Sequence, residues 1–202
     1  MMKVLLTGFD PFGGESLNPS WEVVRQLAQD DMEGITLITV QLPTVYGASL
    51  KKVTTSINLY KPDVVIALGQ AGGRPDISIE RVALNINDAP IPDNEGNQPI
   101  DTSIVDGGPA AYFSTLPIKR MVAELRSEGI PASISNSAGT FVCNHVMYGI
   151  LHYIAEQRLP TRAGFIHIPY LPVQAVLHKN APSMDRETLI RGLKVAIRAA
   201  LA

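Results

Sequence analysis

Short β-branched runs alternate along this chain with longer amphipathic stretches, and that alternation limits the folds open to it. Strands that are apolar throughout need helices on both faces, and parallel neighbours need a crossover to join them. The expected fold is therefore an α/β/α sandwich around a mainly parallel, mixed central sheet. Strands are predicted at Lys3 to Thr7, Thr36 to Leu42, Asp63 to Leu68, Ile77 to Ile86, Ala132 to Ser135 and Gly164 to Ile168. Helices are predicted at about Asn18 to Gln29, Tyr46 to Tyr60, Leu116 to Glu128, Phe141 to Glu156 and Asp185 to Ala200. The first starts at Asn18-Pro19, where asparagine caps free N–H groups and proline loses no hydrogen bond. Between Ala89 and Leu116 runs a Gly-, Pro-, Asp- and Asn-rich stretch too long for an ordinary connection, of the kind that covers a site or an interface. No charged or Ser/Gly-rich linker divides the 202 residues, so residues 1–202 read as one domain.

Charge and cysteine usage narrow the function. A formal net charge of -2 with no run of lysine or arginine lacks the electrostatic footprint of a nucleic-acid or anionic-membrane binder. No apolar stretch reaches the roughly 20 residues of a membrane helix, and the first residues do not form a signal-peptide core. A single cysteine allows no internal disulfide and no cysteine-cluster metal site, which suits a reducing, cytoplasmic compartment. Gly-x-Ser-x-Gly, His-Glu-x-x-His, Walker and Gly-x-Gly-x-x-Gly motifs are all absent, so serine-hydrolase, zinc-protease and nucleotide readings lose support and no cofactor or metal is expected.

Cys143 is the candidate nucleophile. It lies where the small-residue turn Ser137 to Thr140 runs into a helix, and a thiol in a first helical turn meets unpaired N–H groups that favour its thiolate. Those groups suit the oxyanion of a tetrahedral intermediate as well. The sequence equally permits a small core residue, because Met147, Ile150 and Ile154 share the same helical face.

Four histidines compete to be its base. His145 is two residues on, roughly 200° round the helix, and points away; His152 shares that side, about 10 Å along the axis and too far for one zinc ion. Both read as surface or interface residues, and His178 as a partner of a helix C-terminus. His167 differs. It ends the strand Gly164 to Ile168 just before Pro169, where sites in α/β sheets gather, although a hydrogen-bonded core histidine fits there too. A third member would orient the imidazole, and Glu80 stands out by interrupting the apolar run Ile77 to Leu84. An edge strand with Glu80 in solvent is the alternative. After the first strand, the turn Gly8 to Gly14 carries Phe9 and Phe12, which offer a flat apolar surface to a small ring.

Six ordered blocks carry a resemblance. They are Gly8-Phe9-Asp10-Pro11-Phe12-Gly13-Gly14 with Asn18-Pro19-Ser20, Gly69 to Arg74, Glu80-Arg81-Val82-Ala83, Pro92 to Gly96, Ala138 to His145 and Phe165 to Pro169. Together they are similar to the pyroglutamyl peptidase I, or pyrrolidone carboxyl peptidase, family. The resemblance implies a cysteine exopeptidase that removes N-terminal 5-oxoproline from small peptides with a Cys143, His167, Glu80 triad and no metal. It further implies a ring pocket at Phe9, Phe12, Phe141 and the adjoining Val142, polar pocket positions at Asn18 and Gln70, and a homotetramer. Two readings from other classes remain at this point: an α/β enzyme of nucleoside-phosphorylase type, and a non-catalytic small-ligand-binding module in which Cys143 is only core.

Overall fold

The computed structural model describes residues 1–202. Its main sheet has six strands in the order β2-β1-β3-β8-β4-β7. These are β1 (Met2–Phe9), β2 (Ile35–Leu42), β3 (Val64–Gln70), β4 (Ile77–Glu80), β7 (Ala132–Ser135) and β8 (Arg162–Ile168). β2, β1, β3 and β8 run parallel, β4 pairs antiparallel with β8, and β7 pairs parallel with β4. The expected mixed, mainly parallel sheet is thus the one observed.

Alternation along the strands sorts two cores. Val4, Leu6, Val64, Ile66, Leu68, Ile166 and Ile168 face one side and pack with α1 (Pro19–Leu27), α3 (Ile118–Ser127) and α6 (Arg186–Leu201). Leu5, Phe9, Val65, Ala67 and Phe165 face the other and pack with α2 (Ala48–Tyr60) and α4 (Val142–Glu156). Each fully buried large side chain contributes about 1.5–3 kcal/mol, and a one-residue slip would turn every one of them over, so packing pins the register. That register puts Gly69 of β3 opposite His167 of β8, on the α4 side.

Two expectations change. The run Ile77 to Ile86 is not one strand: β4 stops at Glu80, and β5 (Val82–Leu84) leaves for a separate two-stranded sheet. The break falls at Arg81, whose N–H donates to Ser135 O while its guanidinium turns out to Asn136 Oδ1 at 2.7 Å. β5's partner is β6 (Ala111–Phe113), which lies inside the Ala89 to Leu116 stretch that showed no strand in the sequence. The rest of that stretch is pinned by an Asn87↔Thr102 bridge and lies over α4. A short helix α5 (Pro172–Ala175) follows β8.

Candidate active site

Glu80 is fully buried at the end of β4, on the same face as His167. His167 Nδ1 lies 2.7 Å from Glu80 Oε1, and Arg74 Nη1 donates to that same oxygen at 2.8 Å. Burial alone would push the Glu80 carboxyl up. The hydrogen bond and charge of His167, helped by Arg74, overcome it and hold the carboxyl below its ordinary value. An ionised carboxylate only accepts, so Nδ1 carries a proton toward Glu80, and in the neutral ring Nε2 is the nitrogen with the free lone pair.

Cys143 enters this arrangement from α4. A Cβ built on Gly69 would sit 2.8 Å from Cys143 Sγ and 2.8 Å from Phe165 Cζ. The sulfur therefore rests against the backbone of the residue paired with His167, beside a Phe165 ring whose centroid is 4.8 Å from the imidazole. Phe141 is the N-cap of α4 and makes no side-chain cap bond, which leaves the amides of the first turn without a side-chain partner. The thiolate expected at a helix start is opposed in this setting. Burial, with the negative charge of Glu80 adding to it, pushes the Cys143 thiol up to about 12, and Arg74 offsets this only in part. Desolvation in these low-dielectric surroundings is the main cause of that upward shift.

Aromatic rings line the approach. Phe12 and Phe141 lie 5.9 Å apart, and Tyr46 meets Phe141 edge-on at 5.7 Å. Phe9 is buried, 6.3 Å from Phe165, while Phe12 and Phe141 are half-buried. Val142 is fully buried and packs below the site. Asn18 and Gln70 are bonded within the protein. Asn18 Oδ1 accepts from Ser20 N and Oγ at 3.0 and 2.8 Å, and its Nδ2 donates to Asp10 O at 3.0 Å, so it caps α1 and ties down the Phe9 to Phe12 loop. Gln70 Oε1 accepts from the buried Gln174 amide at 2.9 Å.

The comparisons with known proteins agree with one another. The pyroglutamyl peptidase family model matches residues 2–202. The chain belongs to the pyroglutamyl peptidase family. A pyrrolidone-carboxylate peptidase of Ralstonia nicotianae is 58% identical over 201 residues, covering 100% of this chain and 94% of that protein. The crystal structure of pyroglutamyl peptidase I from Bacillus amyloliquefaciens superimposes with a TM-score of 0.95 at 51% identity, covering 99% of this chain and 97% of that one. A variant pyrrolidone carboxyl peptidase from Pyrococcus furiosus gives 0.95 at 46% identity, with 99% and 98% covered. Membership in this family sets aside the nucleoside-phosphorylase and passive-binding readings, and no helix is long and apolar enough to cross a membrane.

Within this family framework the remaining histidines find other work. His145 points away from Cys143's side as expected, yet it is not a surface residue: it is buried, Nδ1 facing Asn87 Oδ1 at 3.0 Å and Nε2 accepting from Gly47 N at 3.1 Å. His152 is half-buried, stacked on Tyr148 and bonded to Tyr112 at 3.0 Å. His178 pairs with Glu15 at 2.6 Å and stacks on Tyr170 instead of opposing a helix end.

Several contributors escaped the sequence reading. Asp93 accepts from the N–H groups of Tyr46, Glu95 and Asn97, fixing the long segment beside the aromatic rings. Asn144, fully buried next to the nucleophile, bonds both N–H and C=O of Leu84 and the C=O of Ile86, locking α4 to β5. Each lies in or beside a block that carried the resemblance, but a polar residue's partner across the fold has no local signature.

Proposed function

We propose that Cys143, His167 and Glu80 perform the reaction of this cysteine-type peptidase, hydrolysis of the amide bond that follows an N-terminal pyroglutamyl residue. As the sulfur attacks the carbonyl carbon, its proton passes to His167 Nε2, and Glu80 stabilises the imidazolium through Nδ1–H. Transfer at the moment of attack suits a thiol whose pKa burial raises. The oxyanion is received by the first-turn amides of α4. The C–N bond then breaks, Nε2 returns the proton to the leaving amine, and a thioester remains. Water gives a proton to Nε2 as it attacks that thioester, the C–S bond breaks, and the proton returns to sulfur.

The observation that carries this reading is the 2.7 Å Glu80 to His167 contact, on a strand whose partner residue Gly69 backs the Cys143 sulfur. Phe12, Phe141 and Tyr46 are placed to pack on the pyrrolidone ring, with Phe9 supporting them from the core and Gln70 and Asn18 bracing the pocket wall. Proline carries a charged amine and lacks the lactam carbonyl, so burying it leaves pocket groups unpaired. A pyroglutamyl reporter amide should be turned over by the wild type and not by Cys143→Ala or His167→Ala, with a prolyl reporter slower by orders of magnitude. Undiminished turnover in Cys143→Ala would reject the nucleophile.

The proposal extends to residues 1–202 acting as one peptidase unit that assembles as a homotetramer in the cytoplasm. The full-length family match supports the first part, exposed Val173, Val176 and Leu177 support self-association, and a lone free thiol suits a reducing compartment. A monomer in sedimentation at micromolar concentration would remove the assembly.

A further inference from the structure

Arg74 belongs to the triad's geometry, although it touches neither the imidazole nor the sulfur in the hydrogen-bond network. It comes from the loop after β3, is about one-third exposed, and makes two bonds: Nη1 to Glu80 Oε1 at 2.8 Å and Nη2 to Ser137 O at 3.3 Å. The first holds the carboxylate; the second holds the start of the turn that delivers Cys143. Glu80 Oε1 thus takes both of its partners, Arg74 and His167, while Oε2 is buried with no hydrogen-bond partner. Two donors reaching that one oxygen from different elements, the imidazole from β8 and the guanidinium from the loop after β3, restrict the directions in which the carboxylate can face. It also divides the charge of Oε1 between two cationic partners once the imidazole is protonated.

We infer that Arg74 is a positioning residue that sets both the orientation of the Glu80 carboxylate and the pH range over which the Cys143–His167 pair is competent. This rests on the triad reading above. The groups facing the pair are Glu80 from β4, Arg74 from the loop after β3 and the Tyr46 phenol from the segment before α2. The sign follows from charge alone. Removing a nearby cation makes each proton easier to add to the pair, so both limbs of its titration move to higher pH.

The test uses the one cysteine in the chain, whose alkylation reads the sulfur directly without substrate. Rates of iodoacetamide labelling and of pyroglutamyl-amide hydrolysis would be followed from pH 5 to 10 for wild type, Arg74→Gln, Arg74→Lys and His167→Ala. Arg74→Gln should displace both profiles upward by about one pH unit, so that activity falls about tenfold on the acid limb and rises on the alkaline limb. Arg74→Lys, which keeps the charge but not the fork, should restore the pH position while kcat stays low. A uniform loss with an unmoved profile in Arg74→Gln would reduce Arg74 to scaffolding and overturn the inference. If instead His167→Ala leaves the labelling profile unchanged, the triad reading fails first, and the two failures are told apart.

Discussion

A hydrogen atom on Gly69 is what leaves room for the nucleophile. The residue is buried in a strand and takes no left-handed conformation, so its requirement is steric, set by Cys143 Sγ and the Phe165 ring each 2.8 Å from where a Cβ would stand. Neither neighbour can withdraw easily, because the sulfur is fixed by α4 and the phenylalanine is fully buried. Gly69→Ala is expected to lower kcat/KM about a hundredfold, since a displacement near 1 Å is enough to misalign an attacking atom. It should cost about 1–3 kcal/mol of stability as an overpacked core position. Reporter kinetics beside chemical denaturation would check both; a variant of unchanged kcat/KM would show that the sulfur is not held where Gly69 places it. Glu80 was legible in the sequence because a charge in an apolar run demands a partner, whereas the empty space at Gly69 left no mark, being a property of what lies on the neighbouring strand and helix.

At the scale of elements, the site is a meeting of loops braced by caps. Asn18 ends one loop and begins α1, and Ser20 Oγ, itself bonded to Asn18, accepts from Phe9 N at 2.9 Å. Asp10 Oδ1 accepts from Thr44 N at 2.6 Å and from Asn94 Nδ2 at 3.2 Å, linking the same loop to the segment before α2 and to the long crossing stretch. Asn18→Ala should therefore do two things: cost about 1 kcal/mol as a lost N-cap, and raise KM for the pyroglutamyl reporter with kcat little changed, because Phe12 loses its tether. Thermal denaturation and a KM against kcat comparison would measure these, and a fall in kcat alone would contradict the bracing role. The cap itself could be read from Asn18-Pro19, since capping is local chemistry. The break at Arg81 could not, because β5 is drawn away by β6 and by Asn144, neither of which is near it in sequence.

Over the whole molecule, α4 is enclosed, with the sheet on one side and the crossing stretch on the other. His145 is buried by that second layer, and desolvation lowers its pKa from about 6.5 in the unfolded chain to about 4. Between those values the unfolded chain binds the proton and the folded one does not, so the stability is complete above about pH 6.5 and drains away as pH falls toward 4. The difference amounts to about 3 kcal/mol at the acid end. His145→Gln should be less stable at neutral pH yet lose less on acidification, as urea denaturation at pH 7 and pH 4.5 would show; equal acid sensitivity would place the titrating group elsewhere.

Hydrophobic period, caps and turn residues are local, and they determined the main-sheet strands, the long helices and the α/β/α class of this chain, while six short motif blocks carried its resemblance to a family. Which of its polar groups lose water is not local. The buried His145, the thiol raised to about 12, the Arg74 to Glu80 to His167 chain of contacts and the second small sheet were all decided by the tertiary structure. The physical reason is that solvation and partner choice depend on groups brought together from distant parts of the chain, and only the closed packing of sheet, helices and crossing segment settles which atoms those are.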